Sequence, residues 1–202
     1  MKYSKLLLTA AIAMSAVASQ AGNLIKNGDF ETYAPSFTGY IKIASGSPLL
    51  SDWTVGGTSV DIINGGFGAI TGNSIDMLGT PGPGSLSQSF ATVIGQTYVL
   101  NFDLSRNSNE NPYINVVFGG LPQTQFTGGT GAAPTKGLLS YTALSTLTTL
   151  SFYSVGGAAS SGAVLDNVSV TAVPEPETYA MLLVGLGLMG AVARRRNKTK
   201  AS

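Results

Sequence analysis

The groups in this chain best suited to metal chemistry or to glycosidase-type acid–base work are its carboxylates. The 202 residues include no histidine and no cysteine. That removes histidine-based general acid–base catalysis, Ser-His-Asp triads and His- or Cys-ligated zinc. Between residues 22 and 172 stand eight acids: Asp29, Glu31, Asp52, Asp61, Asp76, Asp103, Glu110 and Asp166. Two of them, Asp61 and Asp76, are the types a glycosidase uses, one carboxyl to protonate the leaving group and one to attack or to activate water. The separation such a pair needs is not set by sequence spacing, and pairs arise by chance among eight carboxylates. Asp166 is distinctive for its position. Val164, Asp166, Val168 and Val170 alternate on one face of a predicted strand, so the carboxylate is aligned with core-facing valines. A carboxylate there needs an ionic partner, hydrogen bonds or a metal. Glu31 follows Phe30 at the end of another predicted strand. The simpler reading has Asp166 capping a turn through backbone N–H groups and Glu31 solvated.

The elements that must position these groups read as β throughout. Tyr98, Leu100, Phe102 and Leu104 alternate with Asn101, Asp103 and Ser105, the pattern of a sheet with one buried face. Further strands are predicted over 24–30, 39–44, 53–55, 59–63, 74–78, 84–90, 113–118, 138–143, 148–155 and 163–171, beside 97–105 for the alternating segment. Turn residues separate them: Asn64-Gly65-Gly66, the Gly79 to Gly84 run with Pro81 and Pro83, Asn107-Ser108-Asn109, and Gly128-Gly129-Thr130-Gly131. The stretch 128–134 is expected to be a mobile loop. Short strands without a convincing helix predict an all-β fold, a jelly-roll β-sandwich over 22–172. About 150 residues suffice for a core without disulfides. Asn64-Gly65-Gly66-Phe67-Gly68 lacks a lysine and a following helix, so it is no phosphate loop.

Both termini read as targeting segments. Lys2 and Lys5 precede an apolar run over 6–17, and Ser19-Gln20-Ala21 supplies small residues for signal peptidase, so 1–21 is expected to be a signal peptide. At the other end Pro174-Glu175-Pro176 leads to an uncharged span over 179–193, followed by Arg194, Arg195 and Arg196. As a helix this span is about 22 Å long against a hydrocarbon core of roughly 30 Å. The arginines are costly to move through lipid and are expected to stay cytoplasmic. The two prolines resist regular structure and leave an extended segment outside the membrane. Without these ends the body has four basic residues, Lys26, Lys42, Arg106 and Lys136, and a formal charge of −4. A mildly acidic body has no electrostatic footprint for nucleic acid.

Pro174-Glu175-Pro176, the apolar span and the arginine cluster together resemble the PEP-CTERM sorting signal of Gram-negative bacteria. That resemblance implies processing by an exosortase near the motif, with the protein held in the inner membrane until then and released or transferred to the cell surface or exterior. The body also carries a resemblance. Asn27-Gly28-Asp29-Phe30-Glu31 is similar to the opening of galactose-binding-like carbohydrate-binding modules, and Val164 to Val170 to their closing strand. With Trp53-Thr54-Val55, Ser74 to Leu78 and Gly84 to Phe90 between them, the body resembles the choice-of-anchor C family. In the related modules a structural calcium ion joins the first and last strands. Carried over by motif, its ligands are Glu31, the carbonyl of Asp29, and Asp166; all-oxygen ligation suits calcium.

No ligand-binding residue is assigned from sequence. Trp53, beside Asp52, is the sole tryptophan, and in the related family its counterpart more often anchors the core. Tyr33, Phe37 and Tyr40 form one aromatic group, and Tyr113 with Arg106, Asn107 and Asn111 forms another. Three functions are weighed: a non-catalytic exported surface or extracellular-matrix protein associated with exopolysaccharide or biofilm, a dedicated carbohydrate-binding module, and, least favoured, a carboxylate-dependent glycoside-active enzyme. The expected partners are signal peptidase and exosortase during export, and the membrane before processing.

Overall fold

Alternation along the strands divides the chain into core-facing and outward-facing residues, and the computed structural model shows how two sheets use that division. The structure describes residues 22–33, 37–107, 110–155, 161–174 and 183–190. Eleven strands run in chain order: β1 (Gly39–Ala44), β2 (Thr54–Gly57), β3 (Ser59–Asn64), β4 (Asn73–Asp76), β5 (Gly84–Ala91), β6 (Thr97–Arg106), β7 (Tyr113–Phe118), β8 (Thr124–Thr127), β9 (Thr135–Thr142), β10 (Leu147–Val155) and β11 (Ala163–Ala172). A six-stranded sheet has the order β1-β3-β4-β11-β6-β9, and a five-stranded sheet the order β2-β5-β10-β7-β8; every ladder is antiparallel. The two pack face to face as a jelly-roll β-sandwich, and Asn23–Val173 forms one compact unit.

The inner faces meet through aromatic contacts. Phe152 on central β10 lies 5.4 Å from Phe102 on β6 at 80° and 6.2 Å from Trp53. Phe102 also meets Phe126 on β8 edge-on at 5.0 Å. The offset and edge-to-face geometries are those favoured by aromatic quadrupoles. Gly137 sits opposite Phe102 in the β6–β9 register. A Cβ there would lie 2.1 Å from the Phe102 ring, so the ring occupies the space a side chain would need.

The structure departs from the sequence expectations at four places. Residues 24–30 do not form a strand. Leu24 donates to the carbonyl of Val170 and Gly28 accepts from Val168, but Asn27 and Phe30 have positive φ (49° and 56°) and break the ladder. Asn23 substitutes its side chain for backbone, its Oδ1 accepting from Ile25 and Val170. Strand β8 was not expected, because Thr-Gln-Phe-Thr is short and mostly polar. The 128–134 loop is packed against backbone: a Cβ on Gly128 would meet the carbonyl of Ser105 at 1.9 Å, and Thr130 and Ala133 exchange backbone hydrogen bonds.

The fourth departure concerns Asp166. A register shift in β11 between Asp166 and Ser169 inserts a bulge, with Asn167 at φ 52°. One extra residue reverses the side-chain parity of a strand. Val168 and Val170 therefore join the core, whereas Val164 and Asp166 point to the outer face, away from the core cluster. The expected alignment of Asp166 with core valines is corrected accordingly. Residues 183–190 are helical. Among the described residues no helix is long and apolar enough to cross a membrane. The expected signal peptide over 1–21, Glu175, Pro176, the rest of the 179–193 span and Arg194 to Arg196 lie outside the described residues.

Candidate functional site

The outer face of the six-stranded sheet collects four aspartates. Asp61 on β3 stands opposite Asp76 on β4, and Asp103 on β6 opposite Asp166 on β11. All four are buried, Asp61, Asp76 and Asp166 against loop segments and Asp103 against side chains of the neighbouring strands β9 and β11. Asp61 accepts from the Thr80 amide (3.1 Å) and hydroxyl (2.8 Å). Asp76 accepts from the amides of Leu78 (3.0 Å) and Gly162 (3.1 Å) and from Asn107 Nδ2 (2.8 Å). Burial pushes the Asp76 carboxyl up to about 6, and the charge of Asp61 pushes the same way. Asp103 pairs with Lys136 at 2.5 Å and accepts from Asn167 Nδ2 at 3.0 Å. The two carboxylates weighed as a glycosidase pair are thus neighbours, but both are closed in beneath loops they hold down.

Two of the sequence-predicted metal ligands converge on one segment, 71–74, the bend that leads into β4. Asp166 Oδ2 accepts from the Thr71 amide (3.2 Å) and the Ser74 hydroxyl (3.1 Å), and Oδ1 from the Asn167 amide (2.6 Å). Glu31 Oε1 accepts from the Asn73 amide at 2.7 Å. Gly72, at φ 54°, has no room for a side chain, since a Cβ would fall 2.0 Å from Glu31 Oε1. Burial raises the Asp166 carboxyl to about 6. The Asp29 side chain is exposed and accepts from the Glu31 amide at 3.4 Å.

This donor set fits a hard divalent cation. It offers two carboxylates on one segment, neither of them in a salt bridge among the described residues. Glu31 Oε1 and Asp166 Oδ1 each accept a single N–H and keep a lone pair for a metal, whereas Asp166 Oδ2 is filled by the Thr71 amide and the Ser74 hydroxyl. No three acidic, histidine or cysteine side chains come together among the described residues, so an ion here would complete its shell with backbone carbonyls, that of Asp29 being the one expected from sequence. The turn-capping role considered for Asp166 is also present, through Thr71 and Asn167, and Glu31 is engaged with Asn73 although exposed.

The motif around Asn27 owes its residue types to this geometry. Gly28 approaches β11 so closely that a Cβ would lie 2.0 Å from the Val168 carbonyl. Phe30 is fully buried and packs on Trp53 at 5.6 Å. Trp53 is itself buried, its indole N–H donating to the Asn27 carbonyl at 2.9 Å, so it anchors the core rather than offering a sugar platform. A cleft of about 380 Å³ runs between 23–29 and 167–169. The amides that line it serve the fold: Asn23 Nδ2 donates to Val168, Asn27 Nδ2 to Ser51 and Asn167 Nδ2 to Asp103. Of the other candidates, Tyr33 and Phe37 pack edge-on at 5.7 Å and Tyr40 meets Phe67 at 6.3 Å. Arg106 donates to Asn111 at 2.7 Å, and Asn107 is the tie to Asp76.

The outer face of the five-stranded sheet is of another kind. Tyr153, 43% exposed on central β10, stands between Ser85 of β5 and Asn115 of β7. Beyond them the same row reaches Gly56 and Gln125. The next row holds Thr54, Ser87, Ser151 and Val117, and then come Ser89 and Thr149, whose hydroxyls lie 2.8 Å apart. On the other side of Tyr153, Tyr113 pairs with Val155 and Thr127. No charged residue stands in any of these rows. Tyr113 and Tyr153 are diagonal neighbours on adjacent strands, a spacing of roughly 7–8 Å. Sequence reasoning singled out Tyr113 but not Tyr153 or the face itself, which exists only once β5, β7 and β10 are set side by side.

Residues 23–171 match the family described as "Protein of unknown function (DUF642)". The chain belongs to that family. In this DUF642 protein residues 172–196 match the PEP-CTERM protein-sorting motif, which agrees with the resemblance drawn from Pro174-Glu175-Pro176 and implies an exported protein sorted by an exosortase to the cell surface. No curated protein matches the chain. Among solved structures the DUF642 chain is similar to a CBM4 module at 20% identity, covering 74% of this chain and 99% of that one, with a TM-score of 0.40. It is also similar to a family 35 carbohydrate binding module from Clostridium thermocellum (11% identity, 66% and 98% covered, TM-score 0.44). A third is TmCBM61, solved in complex with β-1,4-galactotriose (14% identity, 76% and 100% covered, TM-score 0.40).

Proposed function

We propose that the exported domain is a non-catalytic component of the cell surface or extracellular matrix that binds neutral polysaccharide through the outer face of its five-stranded sheet. The observation that carries this reading is the composition of that face: hydroxyl and amide side chains, two diagonal tyrosines and no charge. Sugars are held by such a combination, the ring stacked on an aromatic face and the hydroxyls hydrogen-bonded by short polar side chains. An uncharged face favours a neutral chain such as a glucan or galactan over an acidic one. Export proceeds by removal of 1–21 by signal peptidase, insertion of the 179–193 span with Arg194 to Arg196 left in the cytoplasm, and exosortase processing near Pro174-Glu175-Pro176. Association with exopolysaccharide in a biofilm is the setting in which this binding would act. Affinity electrophoresis of the protein through gels containing neutral or acidic polysaccharides tests the reading. Retardation by at least one neutral polymer, abolished in Tyr153→Ala, is expected; unretarded migration through all of them would sink it.

We also propose that Glu31, Asp166 and the Asp29 carbonyl hold a structural calcium ion. The support is the convergence of both carboxylates on segment 71–74, with burial of Asp166 that a cation would offset. The ion would supply charge neutralisation and tie the opening segment to β11, with no part in a reaction. Its measurement is the melting temperature in calcium against that in chelator. A rise in calcium that disappears in Glu31→Gln is expected, and identical melting in both conditions removes the ion from the account.

A further inference from the structure

One end of the sandwich carries exposed aliphatic loop tips on loops without charged residues, and it is the end at which β11 finishes. There β5 ends and β6 begins, β9 ends and β10 begins, β7 turns into β8, and β11 finishes. The connecting loops 92–96, 119–123 and 143–146 contain no charged residue. Their tips hold large aliphatic side chains out to solvent: Val93 is 67% exposed, Ile94 63% and Leu144 76%, with Leu147 at 61% beside them. Single exposed aliphatics need no explanation, but several on adjoining loops of one end do.

The backbone that carries these tips is fixed. Gly95 donates to the Ala143 carbonyl and Ala143 to that of Gln96, while Thr92 donates to Thr146. The hydroxyls of two buried tyrosines brace the tips from below, Tyr98 accepting from the Val93 amide (2.9 Å) and Tyr141 from the Leu144 amide (3.3 Å). Gln96 donates to Val93 in its own loop. The amides of Val93, Gly95, Gln96 and Leu144 are thus all satisfied within the protein. That matters in hydrocarbon, where water is not there to bond them. The exit of the tail is pinned to the same place: Val173 donates to the Thr97 carbonyl at 2.8 Å, and its own carbonyl accepts from Gln96 Nε2 at 2.5 Å.

We infer that this end is a lipid-docking surface: Val93, Ile94, Leu144 and Leu147 rest in the outer part of the bilayer that receives the sorting tail. The occupant follows from chain length. Only residues 174–178 separate the pinned Val173 from the uncharged span beginning at Tyr179, six steps with a reach of at most about 22 Å at ~3.3–3.6 Å per residue. A tail inserted to Tyr179 therefore brings this end of the domain to the membrane surface. Uncharged aliphatic tips suit the acyl boundary, where attraction to anionic headgroups is not required. Docking would hold Pro174-Glu175-Pro176 at a fixed height for cleavage. The inference rests on the insertion of the tail put forward above.

The chain has no cysteine, so single labels are clean. Full-length Ile94→Cys, Leu144→Cys, Thr58→Cys and Gly185→Cys variants, each carrying an environment-sensitive dye, are reconstituted in vesicles of phosphatidylethanolamine and phosphatidylglycerol. Dyes at 94, 144 and 185 are expected to shift to the blue and to be quenched by nitroxide lipids, while the dye at 58, on the loop between β2 and β3 at the opposite end, stays water-exposed. In an Ile94→Asp, Leu144→Asp double variant a dye at Val93→Cys should lose its protection. If 185 is quenched but 94 and 144 behave like 58, the docking surface is overturned and the anchored tail stands. If 185 also faces water, insertion itself fails and takes the docking surface with it. Protection of 94 and 144 only when exosortase is present assigns the surface to the peptidase. Energy transfer between labelled copies that persists on lipid dilution assigns it to self-association. Either result overturns the lipid reading.

Discussion

The two outer faces of this sandwich are made from the same kind of antiparallel strand and have opposite chemistry. On the six-stranded sheet four aspartates are buried, each accepting hydrogen bonds from segments distant in sequence. On the five-stranded sheet rows of serine, threonine, asparagine and glutamine surround Tyr153, with no charge and with no loop hydrogen-bonded across Tyr153 among the described residues. The charges that looked most like chemistry in the sequence are spent on architecture, and the face composed of unremarkable polar residues is the one left open. A buried carboxylate fixes loops because each donor it satisfies would otherwise be left unpaired. A neutral hydroxyl face ties down no loop, and apart from the bonded pair Ser89 and Thr149 and the buried Ser151 its groups stay available to a ligand.

The largest effect that could break this contrast comes from Asp76. Asp76→Ala leaves the Leu78 and Gly162 amides without the carboxylate that accepts from them and removes its tie to Asn107. A loss of about 3 kcal/mol of stability is expected, at the upper end for stranded buried donors, measured by denaturant unfolding. Gly162→Ala should be similarly harmful, because the new Cβ would lie 2.3 Å from Asp76 Oδ1. Polysaccharide retardation by the folded fraction of either variant should match wild type. Loss of binding without loss of stability would mean that the carboxylate face, not the neutral one, holds the ligand.

A smaller effect is expected from the open face. Tyr153→Ala removes a side chain that is 43% exposed, and its stability should stay within about 1 kcal/mol of wild type. Its affinity for the retained polysaccharide should fall about tenfold or more, equivalent to ~1.4 kcal/mol. Tyr113→Ala tests the second platform and should lose affinity in the same direction. If both variants bind as wild type, the tyrosines are merely surface residues and the contrast between the faces carries no function.

Much of this contrast was hidden in the sequence for identifiable reasons. The strand predicted over 97–105, observed as Thr97–Arg106, is legible because Tyr98, Leu100, Phe102 and Leu104 alternate without interruption. The closing strand looked equally regular, yet the bulge at Asn167 put Asp166 on the face opposite Val168. Asparagine tolerates positive φ, but nothing else in Asp166-Asn167-Val168 marks an inserted residue. The residue types of the opening segment fit a strand. Its real conformation depends on the Asn23 side chain replacing backbone and on Gly28 fitting against the Val168 carbonyl. That Asp61 faces Asp76 is a matter of register between β3 and β4, a long-range pairing that spacing does not encode. The convergence of Glu31 and Asp166 was reached through resemblance, and the segment that unites them, 71–74, carries no sequence signal beyond Gly72.

The smallest effect sharpens the contrast by pH. The Asp76 carboxyl is raised to about 6 in the folded protein from 3.8, so between those values the folded state binds more protons than the unfolded state. Stability must then fall as pH rises through this window and level off above it. The melting temperature, measured in chelator so that no cation intervenes, should therefore be a few degrees higher near pH 5 than near pH 7. Asp76→Asn removes this residue's titration and leaves that of Asp166, which is raised to about 6 as well, while keeping an acceptor for the Leu78 and Gly162 amides. That variant should show a flatter pH profile and melt no lower than wild type at pH 7, where it avoids burying a charge. Calcium adds an opposing slope, because a carboxylate bound to the ion must be deprotonated. The rise toward pH 5 should then shrink in calcium for wild type and Asp76→Asn alike, and return in Glu31→Gln. A profile that calcium leaves untouched would keep Asp76 as a loop tie and assign Glu31 and Asp166 to the same architectural role.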